Sequence, residues 1–387
     1  MEKKTRTSSK DLKLFLAGDV MTGRGIDQIL PHSVDPILFE SCKKNAKEYV
    51  HMAEEHSGPI PSVAAYDYVW GYGLPELEKK NPDVRIINFE TAVTTYGNFW
   101  PNKHFHFRMH PKNAELLIKA GINVCVLGNN HTMDWDIDGL RETLRVLEGN
   151  KIAVCGAGLN SEEASTPVKL NTGKGRLLIF SYTTSSAGTP ASWEAKQDLP
   201  GVNFLHELGK SGARKVMDDV ESHGEENDRI VISIHWGRNW GYLAPKNHRK
   251  FAHYLIDKGA ADVIYGHSSH HPNRIEVYKN RLILYGCGDL INDYEGTTKQ
   301  EQFRGELSLM YFPTLEPSGK LKSLEMLPLK IHRFQLTKPT QDEIEWLAEN
   351  LTQIGDRFGT SVEKTDTGEL FLKWGRKKIK YRLKDMF

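Results

Sequence analysis

The segment LFLAGDVMTGRG at residues 14–25 begins with an apolar run and ends in a polar loop that contains glycine. The same order, a short aliphatic or β-branched run followed by a polar loop and often by a helix pattern, recurs along the chain. Most of the runs are apolar throughout, as expected of strands that are covered on both faces. This rhythm predicts a layered sheet of the α/β class.

Strands and helices can be assigned to this pattern. The predicted strands are residues 14–17, 85–89, 124–127, 152–154, 177–181, 230–234, 263–265 and 282–285. The predicted helices are residues 114–120, 137–147, 213–222 and 248–258. Strands at 275–278, 281–285, 306–312 and 321–331 follow one another closely enough to pair antiparallel. The fold class is therefore predicted to be a layered mixed-sheet sandwich flanked by helices.

No repeat, low-complexity stretch or proline-rich linker marks a domain boundary, so one domain is predicted over residues 14–335. Residues 26–82 form an insertion, with a helix predicted at 36–55. Aromatic residues on alternate positions from Tyr66 to Tyr72 favour core packing there over a substrate wall. The polar, basic residues 1–13 are predicted to be disordered. Residues 336–387 add a helix at 340–358, a strand at 369–374 and a basic tail, packed on the same domain.

The composition excludes several classes of partner. The chain has 387 residues, with 51 Lys and Arg against 50 Asp and Glu, so no global charge attracts nucleic acid or an anionic membrane. No apolar segment follows the basic N-terminal residues, and no run of about 18 apolar residues occurs, so we expect a cytoplasmic protein without a membrane anchor. The 4 cysteines are widely spaced and lack a CxxC pair, which favours reduced, structural thiols.

Potential metal ligands follow the apolar runs at the same end of the predicted strands. They are Asp19, Glu90 in IINFET, Asn130 and His131 in VLGNNHTMD, His235 in ISIHWG, and His267, His270 and His271 in GHSSHHP. One histidine at a strand end is ordinarily just a hydrogen-bonding residue, but an α/β sheet places all these loops side by side. Carboxylate, amide oxygen and imidazole suit zinc, manganese, iron or magnesium, and a bridging carboxylate permits two ions.

The order and spacing of these motifs resemble the CapA family of poly-γ-glutamate capsule biosynthesis proteins, which has a calcineurin-like metallophosphoesterase fold. The match runs through GDVMTGRG, NFETAVT, FRMHP, GNNHTMDWDIDGL, HWG, GHSSHHP and IEVYKNRLILYGCGDLIND. The resemblance implies a metallophosphoesterase-like domain with one or two divalent ions, of which Zn, Mn and Fe are the expected metals. It implies Asp19 and His270 at one metal, Asn130, His235 and His267 at the other, Glu90 between them, and His131 as the acid.

The chain departs from the superfamily pattern in two places. Val20 and Met21 follow Asp19, where metallophosphoesterases carry Asp-x-His, so one metal is short of a ligand. In GHSSHHP two residues separate the candidate histidines, or three if His271 replaces His270, whereas the usual motif has one. The number of ions therefore stays open at this point.

The function predicted from these features is metal-dependent hydrolysis of a small or oligomeric anionic substrate. The family name favours a γ-glutamyl-type amide, and the fold favours a phosphoester. Arg24, Arg108 and Arg238 lie near the motifs and are predicted to hold the substrate, with Arg108 also stabilising developing charge, although ordinary salt bridging is the alternative for each. The alternative function is a non-catalytic subunit that binds polyglutamate or a ligase through a vestigial metal site.

Overall fold

The computed structural model describes residues 10–297 and 300–375. Its strands are β1 (Leu12–Val20), β2 (Val84–Phe89), β3 (Ala92–Val93), β4 (Arg108–Met109), β5 (Val124–Val126), β6 (Ala153–Cys155), β7 (Ala157–Gly158), β8 (Val168–Thr172), β9 (Gly175–Thr184), β10 (Gly201–Val202), β11 (Phe204–Leu205), β12 (Arg229–His235), β13 (Val263–His267), β14 (Ile275–Tyr278), β15 (Arg281–Leu284), β16 (Asp289–Ile291), β17 (Leu307–Leu315), β18 (Leu321–His332), β19 (Gln335–Thr337), β20 (Thr360–Lys364) and β21 (Leu370–Trp374). Its α-helices are α1 (Gly25–Ile29), α2 (Lys47–Ser57), α3 (Gly73–Lys80), α4 (Glu115–Lys119), α5 (Asp136–Gly149), α6 (Ser161–Ser165), α7 (Lys210–His223), α8 (Lys246–Asp257) and α9 (Gln341–Gly355). Residues 1–9 of the predicted disordered N-terminus and residues 376–387 of the basic tail lie outside the described residues.

Two large mixed sheets form the centre of the molecule. The first has the order β20-β21-β18-β17-β1-β2-β5-β6, with β16 paired to β1 and β19 to β18. The second has the order β11-β9-β12-β13-β15-β14, with β8 paired to β9. Parallel pairs such as β1 with β2 stand beside antiparallel pairs such as β17 with β18. The predicted mixed-sheet sandwich of the α/β class is therefore confirmed.

Alternate residues of each strand enter different cores, which gives the layers. Leu14 and Leu16 of β1 pack between the sheets against residues such as Val231 of β12. Phe15 of β1 faces outward, into a core that includes residues of α1, α3, α4 and α5. The outer face of the second sheet is covered by α7 and α8. Strands covered on both faces explain the uninterrupted apolar runs.

The insertion differs from its prediction. The helix predicted at 36–55 begins only at Lys47, where α2 starts. The side chains of Asn45 and Glu48 accept hydrogen bonds from backbone N–H groups at Lys44, Asn45 and Lys47, which favours a turn before the helix. The aromatic tract packs as predicted, since Trp70 is fully buried in the outer core of the first sheet.

The C-terminal residues belong to the same layers. Helix α9 begins with a capping box in which Thr340 and Glu343 exchange hydrogen bonds, and its apolar face, including Leu347, packs in the core between the sheets. Strands β20 and β21 extend the first sheet. Within residues 10–297 and 300–375, no helix combines the length and apolarity needed to cross a membrane.

Candidate metal centre

The residues predicted as metal ligands lie together where the parallel strands end. Asp19 is near the end of β1, Glu90 directly follows β2, and Asn130 is in the loop after β5. His235 and His267 are the last residues of β12 and β13, and they stand opposite each other in the parallel register. The two sheets therefore bring carboxylates from one side and imidazoles from the other to a common edge.

Two groups of side chains have the spacing needed to hold a cation. In the first, one carboxylate oxygen of Asp19 and one nitrogen each of His235 and His267 lie within 4.8 Å of one another. In the second, one atom each of Asp19, His270 and Asp289 satisfies the same limit. Asp19 belongs to both groups, so this aspartate stands between the two positions.

Asp289 was missed by sequence reasoning. It is the first residue of β16, which pairs parallel with β1 so that Asp289 lies beside Asp19. The two backbones approach closely here, because a Cβ atom on Gly18 would lie 1.6 Å from the carbonyl oxygen of Gly288. The signal in the sequence was the second Gly-Asp pair, in YGCGDLIND, which repeats the Gly18-Asp19 pair.

Two buried oxygen atoms at this edge lack a hydrogen-bond partner among the described residues. They are Oδ2 of Asp19 and Oδ1 of Asn130. Buried polar atoms in folded proteins are almost always paired, so an unpaired atom calls for an explanation. Both atoms belong to residues predicted as ligands, and together with the imidazoles they form a donor set that fits a divalent cation.

Asn88 and Asn129 hold the carboxylates in place. Nδ2 of Asn88 donates to Oδ1 of Asp19 at 2.7 Å and to Oε2 of Glu90 at 3.1 Å. Nδ2 of Asn129 in turn donates to Oδ1 of Asn88 at 3.0 Å. Neither asparagine was assigned a role from the sequence, because their partners become neighbours only through the β1, β2 and β5 pairing.

The surroundings of the candidate ligands shift their pKa values toward the uncharged forms. Burial, followed by the nearby Asp289 carboxylate, raises the pKa of Asp19 to about 7. Burial, followed by Asp19, raises the pKa of Glu90 well above its ordinary range. Burial lowers the pKa of His267 to about 3, and burial with the neighbouring His267 lowers the pKa of His235 well below its usual value. Crowded carboxylates and neutral imidazoles are the environment that a bound cation would stabilise.

The histidine pair is oriented by a hydroxyl group. Nε2 of His267 lies 2.7 Å from Oγ of Ser233, which leaves Nδ1 of His267 2.7 Å from Nδ1 of His235. Metal-binding histidines commonly use their second nitrogen for such a hydrogen bond. His271, in contrast, has Nδ1 3.1 Å from the carbonyl oxygen of Pro272, while Nε2 accepts from the backbone of Gly241. The structure therefore brings His270, and not His271, into the centre.

His131 stands beside the proposed ligands with a carboxylate partner of its own. Its Nδ1 is 2.5 Å from Oδ2 of Asp134, and its Nε2 is 3.7 Å from Oε1 of Glu90. Burial lowers the pKa of His131 to about 4, although Asp134 favours the charged form. Lys103 contacts both Asp134 and the carbonyl oxygen of Asn130. Asp134 and Lys103 were also missed, because the sequence does not show that they meet at His131.

A cavity of about 450 Å³ opens onto the centre. Five of its lining residues are proposed ligands or His131, namely Glu90, Asn130, His131, His235 and His270. The other lining residues are Arg24, Cys42, Lys43, Tyr49, Met52, Phe105, Phe107, Asn239, Trp240, Ser268, Tyr294 and Thr297. The 26–82 insertion therefore supplies part of the wall, through residues outside its aromatic tract.

The three arginines predicted to bind substrate have different positions. Arg24 is on the cavity wall, but its guanidinium is buried and bonded to Asp293, Glu40 and Tyr49. Arg108 donates to the carbonyl oxygens of Tyr96 and Asp35 and stacks on Trp135, and it lines a small separate gap. Arg238 is exposed on a neighbouring cleft. The structure thus does not bring Arg108 or Arg238 to the cavity, and it gives Arg24 ion-pair partners of its own.

Comparison with known proteins shows the family of the chain. Residues 13–294 match the family described as bacterial capsule synthesis protein PGA_cap. The chain belongs to this family. It is 41% identical over 355 residues to a probable polyglutamine synthesis accessory protein of Mycobacterium tuberculosis (strain H37Rv), covering 90% of this chain and 92% of that protein. It is also 24% identical over 331 residues to the PGA biosynthesis protein CapA of Bacillus subtilis (strain 168), covering 85% of this chain and 74% of that protein.

The predicted resemblance to CapA proteins is thereby confirmed. Among solved structures, the chain is similar to a 5'-nucleotidase precursor from Thermus thermophilus, with 15% sequence identity and a TM-score of 0.45. That match covers 89% of this chain and 58% of the nucleotidase chain.

Proposed function

We propose that this family member is a metal-dependent hydrolase that cleaves a γ-glutamyl-type amide or a phosphoester in an anionic substrate. The observation that carries the proposal is a pair of buried oxygens, on Asp19 and Asn130, that lack a partner among the described residues. Asp19 lies beside the facing imidazoles of His235 and His267, and Asn130 and His235 line the cavity. If the cluster had only a structural role, its unpaired oxygens would destabilise the protein, because each buried unpaired polar atom costs roughly 1–3 kcal/mol of folding free energy.

The side chains that would hold the metal are Asp19, Glu90, Asn130, His235, His267 and His270. When bound there, a divalent cation lowers the pKa of a water molecule and polarises the bond to be cleaved. The protein contributes a fixed set of donors, since Asn88 holds both Asp19 and Glu90 and Ser233 orients His267.

We assign proton transfer to His131. Its lowered pKa keeps the imidazole neutral near pH 7, and Asp134 at Nδ1 fixes the tautomer in which Nε2 accepts a proton. Nε2 faces Glu90 at the base of the cavity. His131 would therefore take up at Nε2 the proton that the attacking water releases and then pass it to the leaving group, so an acid role is compatible with a neutral resting state.

An anionic substrate is supported by the chemistry of the cavity wall and by the relatives' names. Lys43 lines the cavity as a half-buried cation, 3.5 Å from Glu48. The similar proteins are named for polyglutamine or PGA synthesis, and a polymer of amino acids is linked by amide bonds. This favours the γ-glutamyl-type amide over the phosphoester. We also propose the cytoplasmic location that the sequence led us to expect.

The test is a substrate panel with the wild-type protein and Asp19→Asn. Purified protein is incubated with γ-glutamyl oligomers and with phosphoesters, with added Zn²⁺ or Mn²⁺ and with a chelator. We expect turnover of γ-glutamyl oligomers that the chelator abolishes and that Asp19→Asn lacks. If the wild type with chelator and the Asp19→Asn variant both turn over these substrates as fast as the wild type with added metal, the reaction is not metal-dependent.

A non-catalytic accessory role is the second candidate, because the Mycobacterium tuberculosis relative is named an accessory protein. In that role the centre would bind a polyglutamate chain or a ligase partner without cleaving it. Binding of γ-glutamyl oligomers, measured by calorimetry, without turnover of any panel member at full metal occupancy would favour this role over hydrolysis.

A further inference from the structure

We propose that Asp289 is a metal ligand, and that it completes an oxygen-rich position with Asp19 and His270 that is chemically unlike the nitrogen-rich position at His235 and His267. The inference rests on the proposed metal site but not on hydrolysis. It supplies the ligand that is missing from the first strand, where Val20 and Met21 follow Asp19 in place of Asp-x-His.

The strand register is the first support. Strand β16 pairs parallel with β1, and Asp289 is the register partner of Asp19. Both carboxylates are buried, at 0% and 1% exposure, so neither reaches solvent for compensation. Two buried carboxylates on adjacent strands repel each other unless a proton or a cation lies between them.

The side-chain geometry is the second support. Oδ1 of Asp289 is 2.8 Å from Nδ1 of His270. One ligand atom of each of these residues also lies within 4.8 Å of an Asp19 oxygen. Oδ2 of Asp19 has no partner among the described residues. Oδ2 of Asp289 accepts from Asn292, which fixes the orientation of the carboxylate. A cation among these three groups would give the unpartnered oxygen its missing contact.

The donor types make the two positions unequal. Asp19, Asp289 and His270 offer two carboxylates and one imidazole, whereas the other position offers the two imidazoles of His235 and His267 with the shared carboxylate of Asp19. Carboxylate ligands suit Mn²⁺ and Mg²⁺, and imidazole ligands suit Zn²⁺ and Fe²⁺. We therefore infer a mixed centre in which Zn²⁺ occupies the histidine side and Mn²⁺ the carboxylate side.

A competing role for Asp289 is to position His270 from behind without touching a metal. The two roles differ in stoichiometry. Removal of a ligand eliminates one ion, whereas loss of a positioning carboxylate typically weakens affinity by only about 10–100-fold.

The test measures the metal content of the full-length protein without substrate. Its outcome therefore does not depend on whether the protein is a hydrolase. Wild type, Asp289→Asn and Asp289→Ala are stripped, dialysed against one equivalent of Zn²⁺ with excess Mn²⁺, and analysed by mass spectrometry. We expect one Zn and one Mn per chain in the wild type, and loss of the Mn alone in both variants. Retention of both ions by Asp289→Ala would overturn the proposal.

The matched control is Glu306→Gln. Glu306 is a partly buried carboxylate that, like Asp289, lines the cleft next to the cavity, but its partner is Arg304 and it is not within either ligand group. This variant removes the same charge and should keep both ions. If Glu306→Gln loses Mn to the same extent as Asp289→Asn, net charge rather than ligation explains the effect and the assignment of Asp289 fails.

A measurement on the wild type covers the case in which the Asp289 variants do not fold. Pulsed electron paramagnetic resonance of the bound Mn²⁺ counts coupled imidazole nitrogens. One coupled imidazole, from His270, is expected. Two or more would place Mn²⁺ among His235 and His267, and would contradict the oxygen-rich position.

Discussion

The two sides of the candidate metal centre are built from the same kind of strand end but carry opposite chemistry. On the first sheet, Asp19 and Asp289 are adjacent buried carboxylates, and burial together with the Asp289 charge raises the pKa of Asp19. On the second sheet, His235 and His267 are imidazoles that burial keeps neutral. The difference shows that neither sheet alone makes a complete site, since one side supplies negative charge without nitrogen donors and the other supplies nitrogen donors without charge.

His235→Ala should break the histidine side and gives the largest expected effect. The variant removes a donor that faces His267 at 2.7 Å, so we expect loss of the ion on that side and of turnover, with the carboxylate-side ion retained. Metal content per chain is the measurement. The control is His206→Ala, which removes an exposed histidine paired with Glu194 and should change nothing. Unchanged metal content in both His235→Ala and His267→Ala would exclude these ligands.

His131→Gln separates chemistry from metal binding. Because His131 touches Asp134 and faces Glu90 without belonging to either ligand group, the variant should keep its metal and its fold. Turnover should fall by about 10²–10⁴-fold, the usual contribution of a positioned proton-transfer group. Loss of metal would move His131 into the ligand set, and unchanged turnover would remove it from the mechanism.

Arg108→Ala and Lys43→Ala compare a residue that supports the fold with a residue that lines the cavity. Arg108 bonds two carbonyl oxygens and stacks on Trp135, so its loss should lower the free energy of unfolding by about 1–3 kcal/mol with KM unchanged. Lys43→Ala should raise KM with the unfolding free energy unchanged. Thermal melts and kinetics are measured side by side. A raised KM in a fully stable Arg108→Ala would restore Arg108 as a substrate anchor.

Glu369, which directly precedes β21, has a pKa shift opposite to that of Asp19, and its substitution gives the smallest expected effect. Hydrogen bonds from Thr367 and Thr365, with Lys80, lower the pKa of Glu369 from 4.5 to about 2, the opposite of the shift at Asp19. A carboxyl group with a lowered folded-state pKa stabilises the protein above pH 4.5 and loses this contribution as the pH falls toward 2. The difference in unfolding free energy between wild type and Glu369→Gln should therefore shrink between about pH 6 and pH 3. A constant difference would contradict this assignment.

The strands, and the positions of most candidate ligands at the strand ends, could be predicted from the sequence, because apolar runs and the polar residues that follow them are local features. Strand β12 and the position of His235 at its end were predicted closely. Asp289 could not be recognised, because its role depends on the pairing of β16 with β1, which joins residues far apart in the chain. The surroundings of Arg108 could not be predicted for a related reason: closeness in sequence to a motif does not show which way a guanidinium points, and here it donates to backbone carbonyls.

Elemental analysis of protein purified without added metal shows whether this cluster binds a cation. We expect at least one divalent transition metal ion per chain in the wild type and its loss in Asp19→Asn, since Asp19 belongs to both ligand groups. The metal-free variant should melt no lower than the metal-free wild type, because Asn at this position keeps the bond from Asn88 and removes a buried charge. A wild type that stays metal-free after exposure to Zn²⁺ and Mn²⁺ would show that the cluster is not a metal site, and an Asp19→Asn variant with the metal content of the wild type would show that Asp19 is not a ligand.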